Sequence, residues 1–330
     1  MRRFGAVLIA TVLLALGAPA AAQDKYPNRP IKVIVPYAPG GATDIIARVI
    51  GDEFQKITGQ GFVIINKPGA LGVIAVEEMA GAAPDGYTVM IGNVSTNAIT
   101  PVIYPKKFSI NYARDVVPVT RLVEVPAFLL TTAAKGFPVK TVPEFIAYAK
   151  ANPGRLRYGT VGIGSYPHYD MAYFAKRAGD LDLSGLPNKN GAAGVIHDML
   201  RGDAQAAFLN VASTGGQVQA GRLRALAVVS SKRLKEYPDV PTIEEAGFGE
   251  VGTVAWQALF APAGTPTRVL ETLFHAVTMA LESPRATKAL EQQHFNVVPN
   301  KSLEEARTWL ADEMEHWRGI TDAVKVDVGQ

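Results

Sequence analysis

The chain has 330 residues, 48% of them hydrophobic and 19% charged, with five histidines and no cysteine. This allows two ordered domains with sizeable cores, and it argues against a disordered chain, a disulfide scaffold or a cysteine-based zinc site. Without Arg2 and Arg3 of the leader described next, the 33 basic residues fall to 31 against 30 acidic ones, so the charge balance calls for neither nucleic acid nor an anionic membrane.

The first 22 residues read as an export leader. Arg2-Arg3 is a positive start, residues 6–16 are an apolar stretch, and Ala20-Ala21-Ala22 is a cleavage site before Gln23. The apolar stretch is too short for a permanent bilayer anchor, and a chain without cysteine has no site for an N-terminal lipid. The expectation is a soluble protein exported to a bacterial periplasm by the ordinary secretory route.

After the leader, strands and helices alternate. A buried strand at 31–35 feeds a helix at 43–57, followed by a strand at 62–66, a helix at 71–80 and a strand at 87–92. This βαβαβ order belongs to a parallel sheet covered by helices. Residues 116–133 read as extended, and Thr141 with Glu144 forms a capping box that opens a helix to about Lys150. A second alternating block has a strand at 156–160, a glycine-rich loop, a helix through Arg177, a helix near 191–202, and strands at 206–210 and 224–229. The C-terminal part is helical: Thr265-Pro266 opens one helix, and Ser302 with Glu305 opens a final amphipathic one.

Each half therefore contains a strand, a glycine-rich loop and a helix start. The first four N–H groups of a helix lack intrahelical partners and carry the positive end of its dipole, so such a loop can hold a carboxylate or phosphate. In the first loop, Gly40, Gly41, Ala42 and Thr43 are the candidate donors, and Asp44 is a helix cap. A tight βα turn without a ligand is the equal alternative. The P-loop signature is absent, since no G-K-[ST] follows, and G-x-G-x-x-G fails in both loops. Ser165 and His168 admit a hydrolase reading, although the G-x-S-x-G spacing is missing. Asn93, Ser95 and Asn97 follow the third strand, at the carboxyl end where parallel sheets bind ligands.

Several blocks are more telling in combination: PYAPGGATD at 36–44, NKPGALGVIAVEEMAGAAPDGYTVMIGN at 66–93, YGTVGIGSYPH at 158–168, AGRLRALAV at 220–228, YPDVPTIEEAG at 237–247 and APAGTP at 261–266. Together they resemble the substrate-binding receptors of tripartite tricarboxylate transporters, the Bug family, over nearly all of the chain after the leader. The resemblance implies an α/β, two-domain periplasmic-binding-protein fold of the Venus flytrap type, each domain a mainly parallel sheet flanked by helices. It maps domain 1 to 24–125 plus 241–330 and domain 2 to 126–240, with the ligand between them. It implies a monomeric receptor with no cofactor or metal, which captures a small carboxylate for integral membrane transporter subunits; a sensor adaptor is the alternative partner reading. By position, the site would comprise Tyr37, Pro39, Gly40, Gly41, Ala42, Thr43 and Asp44 from one loop. Thr160, Gly164, Ser165 and His168 would face them, with Ser95, Asn97 and Asn210 at the strand ends. One block departs from the family's V-P-Y-[KR]-G pattern: Leu186-Pro187-Asn188-Lys189-Asn190-Gly191 carries Asn where the family has Tyr, exchanging an aromatic for an amide.

Overall fold

The computed structural model describes residues 26–106, 108–324 and 326; the expected leader lies outside them. The first unit opens with β1 (Ile31–Val35), α1 (Ala42–Thr58), β2 (Phe62–Asn66), α2 (Val73–Ala80) and β3 (Thr88–Asn93). β1 pairs in parallel with both β2 and β3, and its Ile31, Val33, Ile34 and Val35 are fully buried, as a central strand covered on both faces requires. α1 turns Ile46, Ala47, Ile50 and Phe54 inward and stops at Gly59, whose φ of 79° is the left-handed close of a helix. Two short helices, α3 (Thr100–Ile103) and α4 (Tyr112–Asp115), lead to β4 (Val116–Val125).

After Pro126 the chain enters the second unit. This consists of β5 (Ala127–Thr132), α5 (Val142–Ala151), β6 (Arg157–Thr160), α6 (Tyr166–Arg177), β7 (Ser184–Pro187), α7 (Gly191–Arg201), β8 (Ala206–Asn210), α8 (Val211–Gln219) and β9 (Leu223–Val229). The return leads to β10 (Ala255–Pro262), α9 (Thr267–Leu281), α10 (Pro284–Glu291), β11 (Asn296–Val297) and α11 (Leu303–Ala323). The hydroxyl half of both expected capping boxes forms: the Thr141 hydroxyl accepts the Glu144 N–H at 3.3 Å, and the Ser302 hydroxyl accepts that of Glu305 at 3.1 Å. The two glutamates reach back one residue further, to the N–H groups of Lys140 and Lys301. Pro266 sits one step earlier than expected, as the cap residue before α9 rather than inside its first turn.

The sheets run β11-β4-β10-β3-β1-β2 and β7-β6-β8-β5-β9. Each is parallel in its βαβ part, while the strands adjoining the crossings, β4, β10, β5 and β9, pair antiparallel; both sheets are therefore mixed. The architecture is a two-domain α/β fold with helices on the faces of each sheet. The crossing strands are neighbours, because Val125 at the end of β4 is paired with Ala255 at the start of β10. Residues 241–251 cover the second sheet: Ile243 and Val251 lie in its core, and Val228 bridges Thr242. Conversely, Tyr166 and Tyr169 of α6 are buried in the core of the first unit.

Candidate ligand cleft

β1, β2 and β3 run in parallel, so the turns after Val35, Asn66 and Asn93 share one edge of the first sheet. The parallel strands β6, β7 and β8 likewise place the turns after Thr160, Pro187 and Asn210 together. The two edges face each other. Tyr166, at the start of α6, donates its backbone N–H to Ser95 Oγ at 3.3 Å across the gap. Carboxyl-end edges of this kind are where open α/β sheets bind ligands.

The first turn leaves Ala38, Pro39, Gly40 and Gly41 exposed and buries Thr43 and Asp44. Gly40 has a φ of 84°, a conformation that glycine adopts without a Cβ clash. Its N–H, expected to meet the ligand, instead reaches Asp44 Oδ2 at 2.9 Å. Asp44 also accepts from Arg48 Nε at 2.9 Å, Arg48 Nη2 at 3.0 Å and Asn66 Nδ2 at 3.0 Å. Burial raises its pKa, but these donors outweigh burial and hold it below the usual carboxylate range. Asp44 is thus the brace of the turn. The Thr43 hydroxyl points inward to Gln257 Oε1 at 2.7 Å; its backbone N–H, with those of Gly41 and Ala42, belongs to the first turn of α1, where the amides have no carbonyl partner within the helix.

The second turn repeats this geometry. Gly164 has a φ of 82°, and the cap residues Gly41 (φ −80°, ψ 168°) and Ser165 (φ −78°, ψ 160°) are nearly superimposable in backbone. His168 stands where Asp44 stands, its Nδ1 accepting the Gly164 N–H at 3.1 Å. An accepting Nδ1 places the proton of the neutral ring on Nε2, and burial lowers the His168 pKa, favouring that neutral form. The other expected donors also have partners within the turn: Thr160 Oγ1 meets the Gly162 carbonyl at 3.1 Å, Ser165 Oγ donates to it at 2.7 Å, and the Ser165 N–H does so at 3.2 Å. Ser165 and His168 therefore have separate partners, which leaves the hydrolase reading without a base on its nucleophile.

The floor is polar and aromatic. Tyr37 donates its hydroxyl to Asn93 Oδ1, and Tyr166 donates to Asn210 Oδ1, each at 2.7 Å. Burial pushes both tyrosine hydroxyls up in pKa, and the Tyr37 hydroxyl is close enough to add to the effect at Tyr166. Asn97, expected at the ligand, is fully buried behind the floor, bonded to Thr96 and to the Tyr112 hydroxyl. Asn188 is likewise engaged internally, donating to Asp198 Oδ2 at 2.7 Å.

Sequence reasoning missed the roles of Tyr166 and of Leu71. Residues 69–72 form a turn in which two non-glycine residues are left-handed, Ala70 at φ 45° and Leu71 at φ 54°, at a cost of about 1–2 kcal/mol each. The turn brings Leu71 against the second loop: a Cβ built on Gly162 would lie 3.8 Å from Leu71 Cδ2. The only signal available in the sequence was a leucine between the glycines of a turn.

Comparison with known proteins matches residues 46–326 to the tripartite tricarboxylate transporter family receptor model. The chain belongs to this family. It is 33% identical to the protein BugT of Bordetella pertussis, over 95% of this chain and 94% of BugT. Among solved structures, Rpa4515 of Rhodopseudomonas palustris, solved with adipate, is 30% identical with a TM-score of 0.83 over 91% of this chain and 99% of its own. MatC from the same organism, with bound malate, is 30% identical with a TM-score of 0.80 over 89% and 99%. The family and the fold are those of periplasmic solute-binding proteins.

Proposed function

We propose that this receptor captures a small organic carboxylate between its two units in the periplasm and delivers it to the membrane subunits of a tripartite tricarboxylate-type transporter. The observation that carries this reading is the exposed N-terminus of α1 at the carboxyl edge of the first sheet, braced by Asp44 and facing the second unit. The amides of Gly41, Ala42 and Thr43 hold the carboxylate, each charge-assisted bond contributing about 1.5–3 kcal/mol before the ion's desolvation is subtracted. Two similar solved structures, one with adipate and one with bound malate, support the ligand class. The event is hinge closure, and no covalent step is involved. The packing of Ile243 and Val251 supports a second domain of 126–251, with the first made of 24–125 and 252–330.

The test is a thermal-shift screen of mono-, di- and tricarboxylates, acidic amino acids and aromatic acids. A binder at a hundred times its Kd should stabilise the fold by about 2.7 kcal/mol, with the shift growing as ligand is added. Gly41→Val should abolish that shift without unfolding the protein. Gly41 has a negative φ open to any residue, and an added Cβ meets only the Ala38 carbonyl oxygen at 3.7 Å. Silence across the whole set, or undiminished binding by Gly41→Val, sinks the proposal.

A further inference from the structure

The two turns share a backbone but differ in availability. Gly40 and Gly41 are exposed, whereas Gly164 and Ser165 are buried. A Cβ on Gly40 would meet nothing within 4 Å; one on Gly164 would stand 2.8 Å from Ile103 Cδ1, 3.7 Å from Tyr104 Cε2 and 3.8 Å from Leu71 Cδ1. The Gly164 and Ser165 amides and the Thr160 and Ser165 hydroxyls already have partners in the second turn. A carboxylate brought to them would have to displace those bonds and lose its water against the methyl groups of Leu71 and Ile103. An alkyl or aryl group placed beside that turn, on the partly exposed Leu71, would displace none of those bonds and would bury its own apolar surface.

Resting on the carboxylate-receptor reading, the geometry points to a ligand with a single carboxylate, seated on the amides of 41–43, and an apolar far end packed on Leu71. The class is a medium-chain or aromatic monocarboxylate rather than a dicarboxylate, and Leu71 is the residue that sets it. The turn itself does not ask for leucine. Gly69 and Gly72 bracket it, and at Leu71's φ of 54° and ψ of 28° a glycine would sit without strain. The strained side chain is placed by its contact across the cleft. Lys189 is the competing feature: it is exposed in the turn after β7, next to Asn188, whose N–H bonds the Thr160 carbonyl at 2.8 Å. A second carboxylate would find its cation there.

Titration calorimetry on the mature chain with hexanoate, phenylacetate and adipate decides between them. Hexanoate or phenylacetate should bind at least about tenfold more tightly than adipate. Leu71→Gly relieves the left-handed strain and so keeps the melting temperature close to that of the wild type, and it should shrink the preference by about tenfold. Adipate binding as tightly as the monoacids or tighter, and losing that affinity in Lys189→Ala, overturns the inference and leaves the receptor reading standing. A preference unmoved by Leu71→Gly overturns the role given to Leu71. If none of the three acids binds, and no other carboxylate shifts the melting temperature, the proposed function fails and this inference goes with it.

Discussion

Asp44 and His168 occupy one position in two copies of a turn, each reaching back to the amide of a left-handed glycine, but only one of them changes its hydrogen-bonding character near neutral pH. Protonating His168 converts Nδ1 from acceptor to donor and sets it against the Gly164 N–H. Its pKa in the fold lies below the ordinary histidine value, so between the two values the unfolded chain binds more protons. The stability that His168 contributes is therefore lost as pH falls below about 6.5, against the opposite trend of the buried Asp170. His168→Asp supplies an acceptor of the kind Asp44 already provides, and it should remove this loss when melting temperatures at pH 7.5 and pH 5.5 are compared; an unchanged difference would show that the ring does not hold the turn. The glycines of both turns were legible from the strand–loop–helix pattern. Which amides stay free was not, because that depends on where the side chains of Asp44 and His168 reach.

At the scale of elements, α6 is tied to the return crossing by a buried acid. Asp170 accepts the Thr253 N–H at 3.1 Å and the Thr253 hydroxyl at 2.6 Å. Burial raises its pKa to about 7, outweighing the two donors. The folded state then holds a proton that the unfolded chain has released. This contribution is complete below about pH 4 and is lost as pH rises through 7, by on the order of 4 kcal/mol at most. Denaturant melts of wild type and Asp170→Asn at pH 5 and pH 8 should show the loss in the wild type alone; equal pH dependence in both would place its source elsewhere. Elements with a strong local signature were read well: β1, β2 and β8 match residue for residue, and the capping boxes mark α5 and α11. β10 was not recognised, although all eight of its residues are buried, because an apolar run ending in Ala261-Pro262 carries no alternation to mark it. α8 was hidden by Gly215 and Gly216 inside it, which lower helix propensity and leave tertiary contacts to decide.

For the whole molecule, the two-unit plan followed from the repeated strand–loop–helix order and from the family resemblance, whereas the mixed sheets did not, since antiparallel partners of β4 and β5 are set by the path of the crossings. Closure can be followed directly because the chain has no cysteine of its own. Labels on Ile74→Cys and Asn190→Cys, exposed positions on opposite units, should approach each other when a carboxylate is added; a separation indifferent to every binder would mean that capture occurs without closure. The manner of closing follows from the pairing of Val125 with Ala255. Two cords laced side by side yield easily to folding across their width and stiffly to twisting about their length. The halves should therefore swing like the covers of a book on its spine, and a graft or label that stiffens that narrow ribbon would still the page without touching the print.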